Sequence, residues 1–221
     1  MDSGDVGRAL GESLRLLAGP AGAAWDPGAS VVSRQPPEGR DDDPRIGGAW
    51  AARAGGLDWT CLDTAAHIAH DLTAYAMQLA GREDTEYLPL DLSVRPDTHP
   101  RTMLRIVAAC AQLLRLELDA AGAQARAWHW GPTDPAGFAA LAVDEILVHT
   151  WDIAQGLGLA WTPPADLSAA VLSRLFHHVP LDAGPDPGRT LLWATGRVEL
   201  PGHPRRESWT VRAALEAPPG A

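Results

Sequence analysis

Lysine and asparagine are absent from this 221-residue chain, and cysteine occurs only twice. All 18 basic residues are therefore arginine, set against 28 acidic ones, for a net charge of -10. With no basic surface to neutralise phosphates, nucleic acid is excluded as a partner. Both missing residue types have A-rich codons, so their absence points to a GC-rich genome rather than to a physical requirement. Cys61 and Cys110 lie far apart, each in an expected helix, which excludes a disulfide framework and reads as two core thiols. No apolar run approaches the ~20 residues of a membrane span. The stretch from Met1 to Pro20 also lacks the basic start and continuous apolar core of a signal peptide. The expectation is a soluble, cytoplasmic protein with no membrane partner. At 46% hydrophobic residues it is long enough and apolar enough to bury one sizeable core.

What is present is mostly helical periodicity. Val6, Leu10, Leu14 and Leu17 mark a first helix that Gly19-Pro20 ends. From Ala21 to Leu57 the chain is rich in Gly, Pro and Asp and shows no period. Such a segment is a solvated connection or, through Trp25 or Trp50, a wall of a binding pocket. A second helix is expected from Cys61 to Ala80, with Thr60 as N-cap and Asp63 completing a capping box. Its apolar stripe runs through Leu62, Ala65, Ala69, Ala76 and Leu79, and His67 and His70 lie on the flank of that stripe. Pro100 opens a third helix with Met103, Val107, Cys110, Leu114 and Leu118 inward. Thr133-Asp134-Pro135 opens a fourth, which stops at Gly156 or Gly158. A fifth runs from Pro164 to Val179, with His177-His178 placed to interact with its dipole. Thr190–Ala194 and Arg197–Leu200 flank the Thr195-Gly196 turn as two strands, with Glu207 to Arg212 as a possible third. The expected fold is mainly α, with residues 1–160 forming a four-helix bundle and residues 161–221 a small C-terminal α+β appendage.

The fourth helix carries the chemistry. Glu145 and His149 are four residues apart, so on a helix they share a face with Cβ atoms about 6 Å apart. Phe138, Leu141 and Ala142 make that face apolar, and Asp152 follows one turn on. A carboxylate buried there without compensation would cost several kcal/mol, on the order usual for buried charge. Two compensations are open at this point: a Glu–His hydrogen bond inside the bundle, or a divalent cation shared by carboxylate and imidazole.

Two segments in this order resemble a known family. Trp59-Thr60-Cys61-Leu62-Asp63-Thr64-Ala65-Ala66-His67 and Asp144-Glu145-Ile146-Leu147-Val148-His149-Thr150-Trp151-Asp152 are similar to the two signatures of the actinobacterial mycothiol-dependent maleylpyruvate isomerase-like proteins. That family belongs to the DinB-like metal-binding bundle superfamily. The Ala194-Thr195-Gly196-Arg197 turn resembles a frequent downstream feature of it, whereas residues 21–56 and the C-terminal third depart from its pattern. The resemblance implies a DinB-like four-helix bundle whose three metal ligands fall on His67, Glu145 and His149. It also implies a divalent metal, zinc by preference, and mycothiol as thiol cosubstrate.

Three ligands leave a coordination position open, the arrangement of a catalytic zinc site. A thiol bound there is held as thiolate, the useful nucleophile. The expected activity is a mycothiol-dependent transferase or isomerase acting on a small electrophile. The alternatives are a thiol-independent metal-dependent lyase, cyclase or hydrolase, and a binding module whose metal only staples the bundle. His70 is a candidate group beside the ligands or an alternative ligand. Asp144 and Asp152 are candidates to orient the ligand histidines, and Arg197 is a candidate fork for a substrate carboxylate.

Overall fold

Capping chemistry sets where the helices begin. In the computed structural model, which describes residues 1–18, 48–95, 98–180 and 182–215, Asp2 caps α1 (Ser3–Leu17) and Thr60 caps α2 (Cys61–Gly81), each through a reciprocal capping box. His99 caps α3 (Pro100–Ala120), and Asp134 caps α4 (Pro135–Gly156), both with proline at the first helical position. The α2, α3 and α4 starts are those expected from sequence. A single 3-10 turn, Gly48–Ala51, precedes α2. The antiparallel pair β1 (Ala127–Trp128) and β2 (Pro132–Thr133) links α3 to α4.

The four long helices form the expected bundle: α1 and α2 each pack against both α3 and α4, so the order around the bundle is α1-α3-α2-α4. Helix α4 is the central element, because α5 also packs on it. Its residues Gly137 to Asp144 are buried without interruption, as befits a helix with neighbours on most sides. Thr150 donates to Ser13 at 2.7 Å across the α1–α4 seam. No helix among the described residues is long and apolar enough to cross a membrane.

The C-terminal region differs from the sequence expectation in its elements. Helix α5 (Ala165–Leu175) is shorter than expected, and His177 and His178 lie beyond its end. The Thr190–Ala194 run expected as a strand is the body of α6 (Pro187–Ala194). The reason is local: Asp186 accepts from the Arg189 amide as N-cap and Pro187 occupies the first helical position. Arg197–Leu200 forms no strand, only an isolated bridge from Leu200 to His203, and 207–212 forms none either. The small appendage is thus built from two helices and irregular chain in its described residues.

Trp50, a candidate pocket wall, is 2% exposed and part of the core. Trp25 lies outside the described residues. Cys61 and Cys110 are free and buried, and burial pushes the Cys61 thiol up to about 11, which fits inert core thiols.

Two glycines let the chain wrap the C-terminal end of α4. A Cβ on Gly156 would meet the Arg53 carbonyl oxygen at 2.4 Å and Cys61 Sγ at 2.5 Å. Gly55, at φ +52, passes over Asp152, whose Cα lies 3.5 Å from where a Cβ would be. These close approaches bring the start of α2, and with it Trp59 and His67, against the later turns of α4.

Candidate metal centre

On α4, Glu145 and His149 sit one turn apart, with Glu145 Oε2 3.2 Å from His149 Nε2. On α2, His67 reaches across the seam and places Nε2 3.5 Å from the same carboxylate oxygen. Ligand atoms of His67, Glu145 and His149 all lie within 4.8 Å of one another. His67 and Glu145 are half-buried and His149 is buried. The flank position of His67 on the α2 wheel follows from this packing: α4 covers the edge of the α2 stripe, so a residue beside the stripe faces the seam.

The electrostatics are those of a negatively poised cluster. Burial raises the Glu145 carboxyl, but hydrogen bonds and charge from His149 and His67 outweigh it and hold the group well below the usual carboxylate range. Burial lowers His149, yet its bonds to Asp152 and Glu145 win and lift it to about 9. In the metal-free protein a proton therefore occupies the ground between Glu145 and His149. Two imidazoles and a carboxylate converging in this way are a donor set suited to zinc and related divalent ions.

Asp152 lies against His149 in the core of the cluster. It is 1% exposed, and its Oδ2 lies 3.0 Å from His149 Nδ1. That bond leaves Nε2 of His149 facing Glu145, the arrangement in which a carboxylate would support a histidine that binds a metal. Arg197 grips the same carboxylate from the other side, with Nη2 donating to Oδ2 at 2.9 Å and Nε to Oδ1 at 3.3 Å. Its Nη1 donates to the Thr195 carbonyl at 2.8 Å, and its guanidinium lies over Trp209. The fork expected to meet a substrate carboxylate is thus turned onto Asp152.

Asp144 is buried and makes no hydrogen bond to His67 or His149 among the described residues. Its Oδ1 finds no hydrogen-bond partner among the described residues, and burial together with the Glu145 charge pushes it up to about 7. His70 stands outside that cluster but forms a second group with His67 and Asp71, whose possible ligand atoms also lie within 4.8 Å of one another. Its Nδ1 lies 2.8 Å from Asp71 Oδ1, and its Nε2 lies 3.4 Å from Asp91. The charge-pair hydrogen bond to Asp71 raises the His70 pKa against a smaller effect of burial.

Two residues at the site escaped sequence reasoning. Trp59, 43% exposed, lies tilted beside the two histidines, its ring centroid 4.8 Å from that of His67 and 6.3 Å from that of His149. Asp71 puts Oδ2 3.4 Å from His67 Nε2, and burial and the Glu145 charge hold its carboxyl above the usual range. The available signal was spacing: His67-x-x-x-Asp71 repeats the i,i+4 relation of Glu145-x-x-x-His149.

A family model described as the mycothiol maleylpyruvate isomerase N-terminal domain matches residues 42–154, a span that contains His67, Glu145 and His149. No curated protein and no solved structure matches the chain.

Proposed function

Since the chain belongs to the mycothiol maleylpyruvate isomerase N-terminal domain family, we propose that it is a metalloenzyme that joins the thiol of mycothiol to a small electrophile. The thiol then either stays on, as in an S-transferase, or leaves again after bond rotation, as in a cis-trans isomerase. The observation that supports this best is the meeting of two helices at one point: His67 from α2 and the Glu145/His149 pair from α4, with ligand atoms within 4.8 Å. A divalent cation held there, zinc by preference, would supply a Lewis acid that keeps a bound thiol ionised at neutral pH.

The chain's own residues prepare that position. Asp152 fixes the His149 tautomer by accepting from Nδ1, which leaves the Nε2 lone pair for a cation. Arg197 holds Asp152 in place and neutralises it, so the buried carboxylate does not need to draw on His149 for its full charge balance. Trp59 packs its ring against His67 on one flank. Glu145 brings a single negative charge to the cluster, so a dication there keeps a net positive charge toward an incoming thiolate.

Turnover of small activated alkenes and alkyl electrophiles, measured with and without mycothiol on the zinc-loaded protein, tests the reading. Turnover that depends on mycothiol and is lost in His149→Ala is expected. Turnover that is indifferent to mycothiol would leave a thiol-independent metal enzyme in its place. No effect of saturating mycothiol on heat stability or on the spectrum of the cobalt-loaded protein would remove the thiol from the account.

A further inference from the structure

His67 Nε2 stands between two carboxylates. Glu145 Oε2 on α4 lies 3.5 Å from it, and Asp71 Oδ2, one turn on along α2, lies 3.4 Å from it. The inner carboxylate belongs to the cluster with His149. The outer one belongs to a second group, His67, His70 and Asp71, whose ligand atoms also lie within 4.8 Å of one another. Asp71 faces both of its histidines at once, His67 through Oδ2 and His70 Nδ1 through Oδ1 at 2.8 Å. Two imidazoles and a carboxylate are the same donor types as those of the inner cluster.

Exposure grades from one group to the other. The side chain of Asp91 is 91% exposed, that of His70 32% and that of His149 9%. An ion arriving from water therefore meets His70 and Asp71 before it meets His149. Asp91 lies 3.4 Å from His70 Nε2, so a cation on Nδ1 would find that imidazole backed by a carboxylate, as ligand histidines commonly are. Among the described residues Asp71 forms ion pairs only with histidines, and the nearby Glu145 charge adds to the cost of its own. A cation beside Asp71 offsets that cost.

The two groups exclude each other. An imidazole nitrogen has a single lone pair, so His67 Nε2 can bind an ion in the inner group or in the outer one, but not one in each. The inner position is the tighter, because it is the more buried and Asp152 with Arg197 holds His149 in place.

We propose that His67, His70 and Asp71 form an outer cation site, the station through which a divalent ion enters and leaves the inner site, with His67 the ligand common to both. The proposal rests on the reading of the inner site given above. It leaves that site its three ligands, its charge and its open position.

Cobalt(II) and zinc are the probes. Uptake and release are followed by stopped-flow absorbance on the full metal-free chain as wild type, His70→Ala and Asp71→Asn, with equilibrium affinity measured by competition against a chromophoric chelator. A group that acts only on the path changes both rates by one factor and leaves their ratio, the affinity, as it was. His70→Ala is expected to slow uptake and release alike, by about tenfold, at wild-type affinity. Asp71→Asn is expected to slow uptake at least as much, since it removes a charge as well. In Glu145→Ala the inner site is broken. Excess cobalt is expected to bind that variant at the outer group, too weakly to survive purification, with bands that disappear when His70→Ala is added.

Wild-type rates in His70→Ala would overturn the proposal. So would faster release with lowered affinity, the sign of a group that holds the ion in the inner site. Glu145→Ala protein that binds no cobalt, or whose bands are indifferent to His70→Ala, would overturn it too. Each of these outcomes leaves the inner site standing, whereas wild-type protein that takes up no cobalt would remove the inner site and its entry path together.

Discussion

Replacing Asp152 with asparagine should damage both the fold and the metal site, because this one side chain serves both. Asp152 is 1% exposed, accepts from His149 Nδ1 at 3.0 Å, and receives two donors from Arg197 at 2.9 and 3.3 Å. Asparagine keeps the shape but presents an amide that cannot neutralise the guanidinium. The Arg197 side chain is itself only 10% exposed, so a buried cation is left without its partner, a change that costs about 3–5 kcal/mol. Urea unfolding reads this directly. With a slope on the order of 1–3 kcal/mol per molar, the midpoint should fall by roughly 1–5 M at unchanged slope. Zinc affinity should fall about 10- to 100-fold, as it does when the group orienting a ligand histidine is lost. Adding Arg197→Met to Asp152→Asn should restore part of the stability, because removing both charges relieves the unpaired one. A midpoint within about 0.3 M of wild type for Asp152→Asn would refute the claim that this buried pair joins the C-terminal region to the site.

Three further outcomes are expected. Gly156→Ala forces a Cβ to within 2.4 Å of a backbone carbonyl and should cost about 1–3 kcal/mol; an unchanged melting temperature would show that the α4 end and the Arg53–Cys61 segment are not in close contact. Asp144 ionises at about 7 in the fold against an ordinary value of 3.8. The metal-free protein therefore loses stability as pH rises between those values, by up to ~4 kcal/mol. Asp144→Asn should remove that dependence, making the metal-free variant more stable than wild type at pH 8 and similar at pH 4, and parallel pH profiles would contradict it. Finally, His149, raised to about 9, carries a proton at neutral pH that a metal must displace. Zinc uptake should release about one proton, and apparent affinity should climb about tenfold per pH unit until about pH 9. Calorimetry in buffers of differing ionisation heat measures this, and uptake without proton release would refute the protonated cluster.

The parts of this fold legible in the sequence are those set by local chemistry. Thr60 with Asp63, Pro100, and Asp134 with Pro135 fix helix starts through groups a few residues apart, and each start falls where expected. The same signal stands at Asp186-Pro187, yet the apolar run after it also fits a strand, because five buried residues in a short element satisfy either period. The i,i+4 relation of Glu145 and His149 was legible for the same local reason. His67 was not singled out by its own helix, since the wheel ranks hydrophobicity and the site lies at the edge of the α2 stripe. Its partner across the seam is set by tertiary packing. Arg197 reads from sequence as a fork for substrate, because no sequence pattern reveals that a carboxylate 45 positions earlier fills it.

The most direct test of the account is the metal content of the purified chain, by elemental analysis, for wild type beside His67→Ala and Glu145→Ala. About one zinc or similar divalent ion per wild-type chain is expected, lost in both variants while their helical content persists. Wild-type protein that holds no metal after reloading with zinc, nickel and manganese would contradict it, and would leave the Glu145–His149 pair as a hydrogen bond at a helix seam.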